Sequence, residues 1–109
     1  MTATFNPILS EVAPALSSET IEAFCQRNHI RKLSLFGSIL TPRFRPDSDV
    51  DILVEFEPGR TPGLLHFVGL KLELTDIAGR EVDLRTPGDL SRYFRDRVVA
   101  GAAVQYERL

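Results

Sequence analysis

From Ser17 to Arg27 the apolar positions recur at helical spacing: Ile21, Phe24 and Cys25 share one face. Ser17 or Ser18 stands at the cap position, Glu19 lies in the first turn, and Asn28-His29 ends the segment. The period then changes. Lys32 to Phe36 alternates, with Leu33 and Leu35 on one side, and predicts a strand. Thr41 to Ser48 contains two prolines and no hydrophobic period, so it reads as a loop with room for a short helical turn. Val50, Ile52 and Val54 form the apolar face of a second strand, closed by Pro58-Gly59. Thr61-Pro62 has the form of a cap followed by proline at the first helical position. Leu64, Phe67, Leu70, Leu74 and Ile77 then keep helical spacing as far as Gly79. Leu70, Leu72 and Leu74 also alternate, but the length of the run and its end signals favour helix. Glu81 to Arg85 predicts a short strand with Val82 and Leu84 on one face and Asp83 on the other. After a turn at Pro87-Gly88, Asp89 caps a last helix containing Leu90, Tyr93, Phe94 and Val98, with Tyr93 and Phe94 as core contacts. The tail from Ala102 adds a short strand or frays. At the other end the signal is weak: Asn6-Pro7 opens a short helix, with Asn as cap and Pro in the first turn.

The order helix, strand, strand, helix, strand, helix defines a mixed α/β (α+β) arrangement rather than a sandwich. At 109 residues the natural reading is one domain over 1–109, with 1–16 as a weakly defined N-terminal segment. A net charge of -2 supplies no global basic field, so no direct contact with nucleic acid is expected. Cys25 is the only cysteine, which excludes an internal disulfide and fits a reducing compartment. No apolar run reaches membrane-spanning length and the start lacks the form of a signal peptide, so the expected location is cytoplasmic.

The chemistry concentrates in two stretches. Leu35-Phe36-Gly37-Ser38 reads as a strand entering a sharp turn, where Gly37 lets the backbone approach a ligand and Ser38 adds a hydroxyl donor. If a helix starts there, its first amides and its dipole favour an anion. Ten residues on, Asp47-Ser48-Asp49-Val50-Asp51 leads into the second strand. Side chains at i and i+2 share a strand face, so Asp49 and Asp51 converge beside the Gly-Ser turn. Aspartate is disfavoured in a strand interior and needs a partner there; Asp51, before Ile52-Leu53-Val54, and Asp83, between Val82 and Leu84, are both in that position. If the two strands are neighbours, three carboxylates face one pocket and cannot all ionise cheaply without a cation between them. Two divalent metals resolve the conflict, with Asp49 and Asp51 bridging them and Asp83 binding the one that activates an attacking hydroxyl, or taking its proton.

Gly37-Ser38, Ser48-Asp49-Val50-Asp51-Ile52-Leu53-Val54 and Val82-Asp83-Leu84 together resemble the minimal nucleotidyltransferase family of the DNA polymerase beta-like superfamily. The similarity runs from about Ile21 to Tyr106. It implies a nucleotidyltransferase fold, a short mixed sheet flanked by helices. It further implies the antitoxin half of a HEPN–nucleotidyltransferase toxin–antitoxin pair: a magnesium-dependent enzyme, with ATP as substrate, that transfers AMP to a tyrosine of a cognate HEPN ribonuclease and silences it. Asp49, Asp51 and Asp83 match the catalytic metal ligands, and Gly37 and Ser38 the nucleotide-binding turn. One stretch departs from the family pattern. Members often continue Gly-Ser with Arg-x-Arg-Gly, whereas this chain has Ile39-Leu40-Thr41-Pro42. Arg43 and Arg45 lie just beyond and are the candidates to replace the missing guanidinium groups at the nucleotide.

Two other readings compete. The chain neutralises its toxin by covering it, without catalysis; or it transfers a nucleotide to a small molecule such as an aminoglycoside, since fold does not fix the acceptor. A homo-oligomer or a hetero-complex fits either protein-partner reading, with an exposed apolar face of the long or the last helix as the contact. Other residues carry less. His29 and His66 are too scattered for a zinc site, His66 reading as a surface or boundary residue. Cys25 reads as core, Arg92, Arg95 and Arg97 as a solvated face, and Asp47, Glu55 and Glu57 as solvated charges.

Overall fold

The computed structural model describes residues 7–108, apart from the side chains of Pro7, Ile8 and Ser10. Two short helices open it, α1 over Pro7–Val12 and α2 over Ser18–Arg27. Strands β1 (Ile30–Phe36) and β2 (Val50–Phe56) follow, then the long helix α3 (Leu64–Ala78) and strand β3 (Val82–Arg85). Helix α4 (Arg95–Gly101) and strand β4 (Ala103–Glu107) close the chain. The four strands form one mixed sheet in the order β3-β2-β1-β4, with β2 and β3 parallel and the other pairs antiparallel. Among the described residues no helix is long and apolar enough to cross a membrane.

The local reasons are readable at α2. Ser17 is its N-cap, in extended conformation, and its hydroxyl accepts the Thr20 amide at 3.2 Å. Ile21, Phe24 and Cys25 are the buried face, and His29, at φ 57, turns the chain out of the helix. Val50, Ile52 and Val54 pack with this face, Leu33, Leu35, Leu70 and Leu74 in one core. Each such aliphatic side chain, fully buried, contributes about 1.5–3 kcal/mol of hydrophobic stabilisation. The alternate residues of β2, Asp51, Leu53 and Glu55, fall on the opposite face of the sheet.

Several expectations need correction. β1 begins at Ile30, two residues early, because an extra residue at Arg31 shifts the register between Ile30 and Lys32. That bulge lets Ile30 and Leu33 both enter the core and leaves Arg31 to reach Glu55 at 2.8 Å and Glu107 at 3.6 Å. Glu55 is therefore ion-paired rather than merely solvated, and Glu57 likewise meets Arg108 at 3.2 Å. Thr61 is not the cap of α3: the helix starts at Leu64 with Gly63 in the cap position, so Pro62 precedes it. Asp89 does not cap the last helix. Its carboxylate accepts the Thr86 amide at 3.0 Å and closes a single 3-10 turn, Pro87–Asp89. α4 starts only at Arg95, so Tyr93 and Phe94 lie before it and are 81% and 45% exposed instead of packing in the core. Arg92 stacks on the Tyr93 ring, 5.2 Å from its centroid. Arg95 is half-buried, donating to the Leu90 carbonyl at 2.9 Å, so only Arg92 and Arg97 form a solvated face.

The N-terminal segment takes a larger part than its sequence signals imply, since Leu9, Ala13 and Leu16 are fully buried in the core. Pro7 heads α1 as expected, while the Asn6 cap lies outside the described residues. The tail resolves as a strand: β4 pairs with β1, with a register shift that leaves Gln105 as an extra, buried residue.

Candidate active site

The site forms where β1 ends and β2 and β3 run side by side. In the sheet register Asp51 stands between Phe36 on β1 and Asp83 on β3. Val82 is tied to α3 through its amide, which donates to Thr75 Oγ1 at 3.2 Å, so the long helix sets where β3 begins. Immediately after Phe36 the chain breaks at Gly37, with φ at +76°, and enters a 3-10 turn over Gly37–Leu40. A side chain at Gly37 would put its Cβ 2.2 Å from Asp51 Oδ2. The glycine is thus required twice, by its backbone conformation and by the carboxylate beside it. The Ser38 amide donates to the Asp51 carboxylate. Ser38 therefore meets Asp51 through its backbone amide.

Burial pushes the Asp51 carboxyl above its ordinary value, and the neighbouring Asp83 and Asp49 carboxylates push it further. The Ser38 amide and the Arg85 guanidinium act in the opposite direction without cancelling the rise. Asp49 precedes β2 and is exposed; it follows a turn closed by Arg45 and Ser48, whose side-chain Oγ accepts the Arg45 amide at 3.0 Å. Gly37, Ser38, Asp49 and Asp83 are thus each close to Asp51. Arg43 and Arg45 are on the exposed loop between the 3-10 turn and β2, and neither guanidinium has an ion-pair partner among the described residues. Ile39, in the departing stretch, is buried in the core at 4% exposure.

Two arginines escaped the sequence reading. Arg85 binds Asp83, Nε to Oδ1 at 3.2 Å and Nη2 to Oδ2 at 3.4 Å. The signal was present, since Arg85 is two residues along the same strand and shares the face of Asp83. Arg80 reaches back from the end of α3 to the loop, donating to the Pro46 carbonyl at 2.7 Å and stacking 5.1 Å from the Phe44 ring centroid. No sequence pattern joins residues 34 positions apart.

An all-oxygen donor set suits a hard divalent cation, and the raised carboxyl of Asp51 beside two further carboxylates is the electrostatic situation such a cation relieves. Among the described residues no three potential ligands are gathered closely enough to enclose a metal ion, and Asp83 is engaged by Arg85 instead. A cavity of about 730 Å³ opens elsewhere, lined by Arg27, Asn28, Leu65, His66, Gly69 and Glu73 on α2 and α3. These helices carry the core side of the sheet, so that cavity is separate from the carboxylates. His66 is exposed, as a surface position.

The chain as a whole matches a known family. Residues 17–104 match the model of the nucleotidyltransferase domain, and the chain belongs to that family. It is 38% identical over 76 residues to the protein adenylyltransferase MntA of Thermococcus cleftensis, covering 70% of this chain and 74% of that protein. A solved structure of a presumed minimal nucleotidyltransferase superposes with a TM-score of 0.64 at 36% identity, over 78% of this chain and 85% of the other. The same fold occurs in the complex of a tri-AMPylated HEPN toxin of Shewanella oneidensis with its nucleotidyltransferase antitoxin, at a TM-score of 0.61 and 22% identity, over 84% of this chain and 70% of that one.

Proposed function

We propose that this chain is an antitoxin adenylyltransferase that transfers AMP from ATP to a tyrosine of a cognate HEPN toxin. The observation that carries this reading is the juxtaposition of Gly37 with Asp51, and of Asp51 with Asp83, at the end of β1. A close backbone approach lies directly beside convergent carboxylates. The adenylyltransferase relative and the AMPylated-toxin complex support the choice of AMP as the group and a HEPN protein as the acceptor.

In this mechanism Asp49, Asp51 and Asp83 would hold magnesium, which would supply charge neutralisation at the triphosphate and a lower pKa for the acceptor hydroxyl. The turn at Gly37 and Ser38 cradles the phosphates, and Arg43 and Arg45 approach them from the loop. The tyrosine oxygen forms a bond to the α-phosphorus, the bond between that phosphorus and the bridging oxygen to the β-phosphate breaks, and pyrophosphate leaves. Asp83 accepts the tyrosine proton.

The partner meets an apolar surface. On α3, Leu64, Leu65, Val68 and Leu72 are 81%, 88%, 42% and 59% exposed and lie at spacings that form one stripe. A contiguous apolar stripe of this kind marks a contact surface, and the toxin is the partner we assign to it.

Replacing Asp49 and Asp51 together by alanine tests the reading. Toxin neutralisation in cells is expected to fail while the two proteins still associate. Neutralisation that survives the double substitution contradicts it and favours inhibition by binding alone.

A further inference from the structure

Asp83 and Arg85 occupy successive same-face positions of β3, opposite Asp51 and Leu53 of β2. The guanidinium spans both oxygens of Asp83, at 3.2 Å and 3.4 Å. Arg85 is no remote surface charge, because Asp51 and Asp89 also act on it. Asp49 has no such partner among the described residues, and Asp51 takes the Ser38 amide. The three carboxylates therefore differ in what a cation must displace. At Asp49 and Asp51 it meets no two-pronged ion pair, although the Arg85 guanidinium acts on Asp51 at longer range. At Asp83 it must also break a two-pronged ion pair. Both partners of that pair are partly exposed, with side chains at 46% and 37%, so the pair is weak enough to exchange.

We infer that Arg85 is a positioning residue that holds Asp83 until a divalent cation displaces it, so that the carboxylates load in order, Asp49 and Asp51 before Asp83. This rests on the reading of the three aspartates as cation ligands. Its consequence is that the proton-accepting carboxylate is withheld until a cation is already in place. The pair also keeps Asp83 from adding its full negative charge to Asp51 in the cation-free protein.

The test is Mn²⁺ binding to the full chain without nucleotide, read from the spectrum of the free ion by electron paramagnetic resonance. Arg85→Gln is expected to tighten Mn²⁺ binding roughly two- to fivefold, the range that follows from breaking an exposed ion pair. Arg85→Lys keeps the charge and loses the planar fork, so it is expected to fall between the wild type and Arg85→Gln. In an Asp83→Asn background the gain from Arg85→Gln is expected to vanish. An unchanged affinity in Arg85→Gln overturns the inference. A gain that persists with Asp83→Asn also overturns it, by showing that Arg85 acts as a general positive field. Mn²⁺ binding that does not weaken with Asp49→Ala and Asp51→Ala defeats the site reading itself, whereas binding that weakens there but ignores Arg85 defeats only this inference.

Discussion

Gly37 and Asp51 are in direct contact: the position a Cβ would take on Gly37 lies 2.2 Å from Asp51 Oδ2 and 3.1 Å from its Cγ. The backbone at Gly37 is also in the left-handed region, at φ +76°. Gly37→Ala therefore combines a strained backbone with a displaced carboxylate. We expect a stability loss of about 1–3 kcal/mol, measured by urea unfolding, and a loss of at least roughly tenfold in adenylyl transfer. A transfer rate equal to that of the wild type contradicts the close approach.

The same carboxylate opposes the stability of the fold when ionised. Burial, then Asp83 and Asp49, raise the Asp51 pKa, so the folded chain holds this proton more tightly than the unfolded chain. The contribution of Asp51 to stability is fully present below the ordinary aspartate range and is lost as pH rises through the raised value. Asp51→Asn removes the charge and leaves an oxygen to accept the Ser38 amide. In the absence of divalent cations it is expected to stabilise the protein by about 1 kcal/mol at neutral pH, which is about 4–8 °C in Tm for a domain near this size. The advantage is expected to shrink at acid pH. Thermal melts of both proteins between pH 4 and 7 measure it, and an equal difference at every pH contradicts the assignment.

Arg80 fastens the loop that leads to Asp49. It donates to the Pro46 carbonyl at 2.7 Å and lies over Phe44. Arg80→Ala is expected to cost about 1–2 kcal/mol and to speed tryptic cleavage after Arg43, which is on the released loop. Unchanged cleavage kinetics argue against the latch.

The apolar stripe of α3 makes a separable prediction. Leu65 is 88% exposed and Leu72 59%, so replacing both by aspartate should change stability by less than about 0.5 kcal/mol per site. Binding to the cognate toxin is expected to weaken at least roughly tenfold, measured by titration calorimetry. Full affinity places the toxin on another face.

Strands β1 to β3, the long helix and the placing of Gly37, Asp49 and Asp83 beside Asp51 were legible because each leaves a local mark. Val50, Ile52 and Val54 show the period of two, and a carboxylate at Asp51 interrupts an apolar strand. What escaped depends on partners distant in the chain or on small shifts of phase. Residues Leu9, Ala13 and Leu16 are core, but α1 is only six residues long and too short to display a period. The bulge at Arg31 is decided by pairing with Phe56 and Glu55, far along the chain. Tyr93 and Phe94 fit a helical face in the sequence, yet Asp89 is taken by Thr86, and the helix starts too late to include them. Leu72 sits amid leucines that are buried at 70 and 74 while itself exposed, because composition records apolarity and not which side of a helix is covered.

Transfer of AMP to the toxin is the central claim, and the intact mass of the cognate HEPN protein tests it most directly. After incubation with this chain, ATP and magnesium, the account predicts a mass increase of one or more adenylyl groups. The increase must be lost when Asp49 and Asp51 become alanine. An unchanged mass, with the toxin nonetheless inhibited in a stable complex, contradicts it.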